Sequence, residues 1–188
     1  MKNKWCVSVA FLFFLVGICI NACTQECNSS NNNRWSEEKI QKWYDDQDWL
    51  IGCNYIPATA INQIEMWSAD TFNPKQIDKE LSWAHDLGFN TLRVFLSSVV
   101  WKNDAKGMKK RMDEFLNICK KYSIRPMFVF FDDCWNAEST YGKQPEPKPG
   151  VHNSGWVQDP SCSLRKDTLT LYPFLQEYVK DIIRTYAH

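Results

Sequence analysis

The stretch that most limits what this chain can fold into is IRPMFVFFDDCWN, Ile124 to Asn136. Pro126 to Phe131 is a short run with nothing polar in it, bounded by charged residues. A run of that length fits a strand buried on both faces, as in a parallel sheet covered by helices. It ends abruptly in Asp132, Asp133, Cys134, Trp135 and Asn136. A buried strand that delivers carboxylates, an indole and an amide at its C-terminal end is how parallel α/β sheets build their sites. The plainer alternative is a strand end followed by a polar turn. The same pattern recurs at two earlier places.

The first is WLIGCNYI, Trp49 to Ile56, with Gly52 as a point of close backbone approach and Asn54 and Tyr55 where the strand opens onto a site. Pro57 ends it, and a loop carrying Asn62, Glu65, Met66 and Trp67 follows. Asn73-Pro74 then opens a helix, as an N-cap followed by proline at the first helical position. Ile77, Leu81 and Ala84 share a face, and Gly88 ends the helix as a left-handed residue. The second is TLRVFL, Thr91 to Leu96. Arg93 is its odd member. An unpaired buried guanidinium is costly, so Arg93 is expected either to face a polar site or to form an inward salt bridge.

Ser97 to Asp104 reads as a loop with Trp101, and Gly107 to Tyr122 as a helix with Met108, Met112, Phe115, Cys119 and Tyr122 on its apolar face. After the strand at Ile124 comes a long connection, Ala137 to Leu171, that is Pro-rich at QPEPKPG and continues as VHNSGW. Loops this long in a compact domain are usually functional or disordered, and His152, Asn153, Ser154 and Trp156 favour function. A last helix is expected from Tyr172 or Pro173 to Tyr186.

Upstream, Lys2 and Lys4 precede an apolar segment from Val7 to Ile20, and Ile20-Asn21-Ala22-Cys23 follows. Residues 1–22 read as a secretory signal too short for a good membrane span. Its ending resembles a bacterial lipoprotein box, which implies cleavage before Cys23 and lipid on its thiol; a plain secretory signal for a secreted or periplasmic protein is the alternative. Residues 23–33, polar and Asn-rich, read as a flexible tether. Arg34 to Asp46 is expected to be a short helix below the first strand. An oxidising compartment permits disulfides, and Cys134 and Cys162, which flank the long connection, are the favoured pair. Cys119 falls on a helix core face. No cysteine or histidine spacing indicates a metal site, and no glycine-rich loop indicates a nucleotide; no cofactor is expected.

Lysine plus arginine equals aspartate plus glutamate at 22 each, which argues against a nucleic-acid partner. Nine tryptophans suit flat apolar ligands such as sugar faces, or a Trp-rich core. The alternation of strand and helix, three times over, defines an α/β chain with a parallel sheet. Its long, aromatic-rich loops follow strands and its short turns follow helices. That asymmetry is expected of the first three β/α units of a (β/α)8 (TIM) barrel, an incomplete barrel over residues 34–188.

WLIGCNYIPATAINQIEMW, DKELSWAHDLGFNTLRVFL, RPMFVFFDDCWN and PKPGVHNSGWVQ, in that order, resemble the N-terminal part of a clan A glycoside hydrolase, family 5-like (cellulase- or xylanase-like). The resemblance implies a retaining hydrolase of β-linked oligo- or polysaccharides that uses two glutamates, an acid/base after the fourth strand and a nucleophile after the seventh. Retention needs carboxyls about 5–5.5 Å apart. Both positions are expected beyond His188, in a C-terminal half-barrel. The resemblance carries over Arg93 as the arginine that supports the nucleophile. It further implies Asn54, Trp67, Asp133, Trp135 and Trp156 as lining a sugar cleft, with a more polar His-Asp-like pair in close relatives where Ser97 and Ser98 stand. Asp132 and Asp133, as neighbours on a strand, face opposite ways and form no retaining pair; a meeting of Asp133 with Glu65 across the mouth is the remaining pairing in this stretch. The expected place of action is the bacterial cell envelope, with the chain anchored to the membrane through Cys23. A carbohydrate-binding lipoprotein without hydrolytic function, or an inactive fragment of a broken reading frame, is the alternative.

Overall fold

The computed structural model describes residues 34–187. The signal segment, the tether and Cys23 lie outside the described residues. Two compact units divide between Asp48 and Trp49. The first contains one described helix, α1 (Glu37–Asp45). Ser36 caps it by accepting a hydrogen bond from the Lys39 amide, which is why the helix starts after Arg34, and Glu37 and Glu38 sit in its first turn. Its apolar residues Ile40, Trp43 and Tyr44 are all exposed.

The second unit is an α/β fold. In chain order it comprises β1 (Gly52–Tyr55), α2 (Gln63–Trp67), α3 (Pro74–Asp86), β2 (Thr91–Phe95), α4 (Ser98–Lys121), β3 (Arg125–Val129), α5 (Cys162–Arg165) and α6 (Thr168–Tyr186). The strands form a three-stranded parallel sheet in the order β1-β2-β3. Register places Asn54 beside Arg93 and Arg93 beside Met127 on one face, and Tyr55, Val94 and Phe128 side by side on the other.

Alternation along the central strand sorts its two faces. Leu92, Val94 and Leu96 are at most 1 % exposed, whereas Arg93 between them is exposed. The buried set packs in one core with Ile77 and Leu81 of α3, Met108, Met112, Phe115 and Cys119 of α4, and Tyr178 and Ile182 of α6. Burying each large side chain contributes about 1.5–3 kcal/mol. The other face is bare, so β3 departs from the expected strand buried on both sides: Met127 is 52 % exposed and Phe131 40 %.

Local signals explain the boundaries. The Asn73 side chain accepts from the Gln76 amide with Pro74 as the first helical residue, and Gly88, at φ +84°, turns the chain out of α3. A Cβ on Gly52 would collide with the Thr91 carbonyl, so β1 pairs this closely only with glycine there. Two helices start earlier than the sequence implies. The segment from Ser98 onward, expected as a loop, is the first part of α4: Ser97 caps it by accepting from the Val100 amide. The helix then kinks at Asp104, whose φ is −151°, and Asp104 caps the continuation by accepting from the Gly107 amide at 3.0 Å. The open space over Gly107 holds that carboxylate, because a Cβ there would overlap it. Likewise α6 begins at Thr168 under an Asp167 cap, with Pro173 inside it.

Candidate functional site

The C-terminal ends of the three strands open onto a small cleft. Asn54, Tyr55 and Ile56 come from the end of β1, Phe95 from the end of β2 and Asp132 from the chain just past β3. Gln63 and Met66 of α2 and Trp156 of the long connection complete it. Arg93 borders this cleft from the bare sheet face. Its Nη1 donates to Asn54 Oδ1 at 3.2 Å, and its guanidinium lies 4.4 Å from the centre of the Phe95 ring. No salt bridge holds Arg93 among the described residues.

The long connection is ordered by a buried polar network. Asn62 Nδ2 donates to Gln144 Oε1 and to the Gly155 carbonyl, and Gln63 Nε2 donates to the Val157 carbonyl. Glu65, 6 % exposed, accepts the Gln144 amide on one oxygen and the Ile61 amide on the other. Asn136, which is exposed, adds bonds from Nδ2 to the carbonyls of Ser154 and Trp156. The buried members Asn62, Gln63, Glu65 and Gln144 hold this part of the loop, because breaking any one bond leaves an unsatisfied partner.

On that frame Trp135, with φ +76°, stands edge-on to His152 at 5.6 Å and to Trp156 at 5.9 Å. Trp135 is 43 % exposed. An indole at the cleft wall with a second beside it presents flat apolar faces of the kind that stack on sugar rings.

Asp159 closes the loop. It is 2 % exposed; its Oδ2 accepts the Ser98 amide at 2.6 Å, and its Oδ1 accepts the Ser98 hydroxyl. Its backbone exchanges hydrogen bonds with Asp132 in both directions, at 2.8 and 2.9 Å. Burial pushes its carboxyl up to about 7 against the lowering effect of the Ser98 bonds. Tyr178 of α6 is buried with its hydroxyl unpartnered; burial first, then the Asp159 charge, raises that phenol above its ordinary value. At the other side of the cleft, Tyr55 donates to Glu80 Oε2 at 2.8 Å, and burial and then that carboxylate push the phenol up.

Of the residues singled out in the sequence, the fold brings Asn54, Arg93 and Trp156 together, with Trp135 beside Trp156. Trp67 is elsewhere. It is 0 % exposed, packed against Phe72, Phe115 and Phe128, and it touches the site only by donating from Nε1 to the Phe95 carbonyl at 2.7 Å. Asp133 turns away from the cleft to pair with Arg165 of α5. It does not meet Glu65, whose oxygens are already taken. Cys134 and Cys162, expected to bridge, are both free thiols, and Cys162 Sγ instead donates to Gln158 Oε1 at 3.3 Å. Sequence reasoning missed Gln63, Phe95, Ser98 and Asp159 as parts of the site. Among the described residues, no group of three or more His, Cys, Asp or Glu is arranged to hold a metal, and no helix is long and apolar enough to cross a membrane.

No family model, curated protein or solved structure matches this chain.

Proposed function

We propose that this chain belongs to a retaining glycoside hydrolase of the family 5-like type, a (β/α)8 barrel acting on β-linked glycans, and forms its first three β/α units. The observation that carries the reading is the bare sheet face that leads into an aromatic cleft at the strand C-terminal ends. Parallel sheets bury both faces, so an uncovered face bearing Asn54, Arg93 and Phe95 suits a barrel interior completed by further strands. Arg93 is free to receive a carboxylate from those strands, and Trp156 and Asp132 to line the sugar path. Neither Glu65 nor Asp133 is placed to act with a second carboxylate, so in this reading the acid/base and nucleophile come from the remaining strands. Anchoring in the cell envelope through a lipid on Cys23 is part of the same proposal, and it rests on the sequence around that cysteine.

The second reading, a glycan-binding lipoprotein without hydrolysis, draws on the Trp135–Trp156 pair, which needs no carboxylates to hold a sugar. Screening the intact protein and residues 34–188 against β-linked glucans, xylans and mannans separates the two. Hydrolysis with retained anomeric configuration by the intact protein supports the first. Binding without cleavage by both supports the second, and neither binding nor cleavage by the intact protein sinks both.

A further inference from the structure

We infer that Asp159 is the positioning residue of the cleft, fastening the aromatic wall to the start of α4 through a latch that loosens as pH rises toward neutral. The excursion from Asp133 to Gln158 leaves and re-enters the fold at one place, where Asp132 and Asp159 exchange a reciprocal pair of backbone hydrogen bonds. The two ends of the wall meet at these residues, while its middle is tied to α2 through Asn62, Gln63 and Glu65. Asp132 lines the cleft directly, and Trp156 stands three residues before Asp159. The link from this pair to the helical layer passes through the Asp159 side chain, which takes both the amide and the hydroxyl of Ser98 at the first position of α4.

Every element around the carboxyl bears on its charge. From α4 come only the neutral donors of Ser98. From the end of β3, Asp132 contributes a like charge. From α6, Tyr178 contributes a neutral, unpartnered phenol. From α5, Arg165 spends its guanidinium on Asp133 and its Nε on the Pro160 carbonyl. No cation faces Asp159 among these groups, so ionisation inside the closed wall is penalised. An opened wall returns the carboxyl to water and to its ordinary value of 3.8.

The sign follows from linkage. With its carboxyl held near 7, the closed state keeps a proton that the open state releases. Closure is strongest below about pH 4, weakens about tenfold per pH unit up to about pH 7, and is flat above it. The consequence for sugar binding rests on the glycoside hydrolase reading; the latch itself is measured without sugar.

The test is hydrogen exchange by mass spectrometry on the intact protein from pH 4.5 to 9, corrected for intrinsic rates, with peptides of β2 and of α4 beyond the Asp104 kink as internal controls. We expect protection of the wall ends, residues 133–136 and 156–158, to fall about tenfold per unit as the pH rises to 7 and to level off above, while the control peptides stay unchanged. In Asp159→Asn, which keeps the shape and an acceptor but does not titrate, the wall ends stay protected and the pH dependence disappears. In Asp159→Ala the wall ends lose protection at every pH, while the Gln144 amide, held by Glu65, keeps its own. Wall ends whose protection has the same pH profile in wild type and Asp159→Asn overturn the proposal, as do wall ends still protected in Asp159→Ala. If glycan binding is absent while the exchange pattern holds, the functional reading fails and the latch stands.

Discussion

The two faces of the sheet obey different rules, although the same strands make both. On the helix-covered face Tyr55, Val94 and Phe128 lie in register, and Tyr55 and Phe128 meet Phe115 while Phe128 also meets Trp67 in the buried core. On the bare face, Asn54, Arg93 and Met127 lie in register with polar contacts that are few and exposed. One face specifies the fold, and the other is left uncovered. Position along a strand therefore decides what a substitution does, and neighbours in sequence differ more than residues two apart.

Five substitutions test that contrast, in descending order of effect on stability. Phe115→Ala should lower the free energy of unfolding by about 3–5 kcal/mol in a urea titration, since it opens a cavity under two strands. Gly52→Ala should cost about 1–3 kcal/mol by thrusting a methyl at the Thr91 carbonyl and prising β1 from β2. Asp104→Ala should cost about 1 kcal/mol through the lost cap at the kink. Arg111, which holds both Asp104 and the Trp67 carbonyl, pulls the Asp104 carboxyl below its ordinary value, so this contribution is present above about pH 4 and is lost as the pH falls below that. Met127→Ser, on the bare face, should change stability by less than about 0.5 kcal/mol. A Met127→Ser cost near that of Phe115→Ala would mean that this face is covered in solution, and the contrast would fall. Arg93→Ala separates the uncovered face from the core: denaturation midpoints should barely move, whereas the glycan affinity that the proposed function implies, read by calorimetry, should drop about tenfold.

Much of the fold was legible because its signals are local. Alternation at Leu92, Arg93 and Val94, the Asn73-Pro74 start and the Gly88 stop each need only a few residues to act. Failures came where a residue serves two elements at once. Asp104 looks like loop because it is a cap, yet it caps the middle of a helix already under way. Pro173 looks like a first residue, yet the Asp167 cap starts the helix ahead of it. Within the site, Asn54, Arg93 and Trp156 were readable from their places at strand ends and in the long loop. Trp67 was misplaced because an indole after a strand carries no mark of which way it points, and three phenylalanines across the core decide that. Asp159 was invisible for the opposite reason. An aspartate before proline reads as a turn, and its partner Ser98 is 61 positions away.

The pairing of each strand with the next in sequence bears on how the chain reaches this form. Ile51, at the entry to β1, is bonded to Asn90 across 39 positions, and Thr91 to Arg125 across 34. Each ladder closes a loop of nearly the same modest size, and neither waits for a strand made much later. A ribosome that emits roughly 5–20 residues per second releases one complete strand-helix-strand module every few seconds. The sheet can grow as synthesis proceeds, with β2 docking on a β1 already made and then serving β3 as its template.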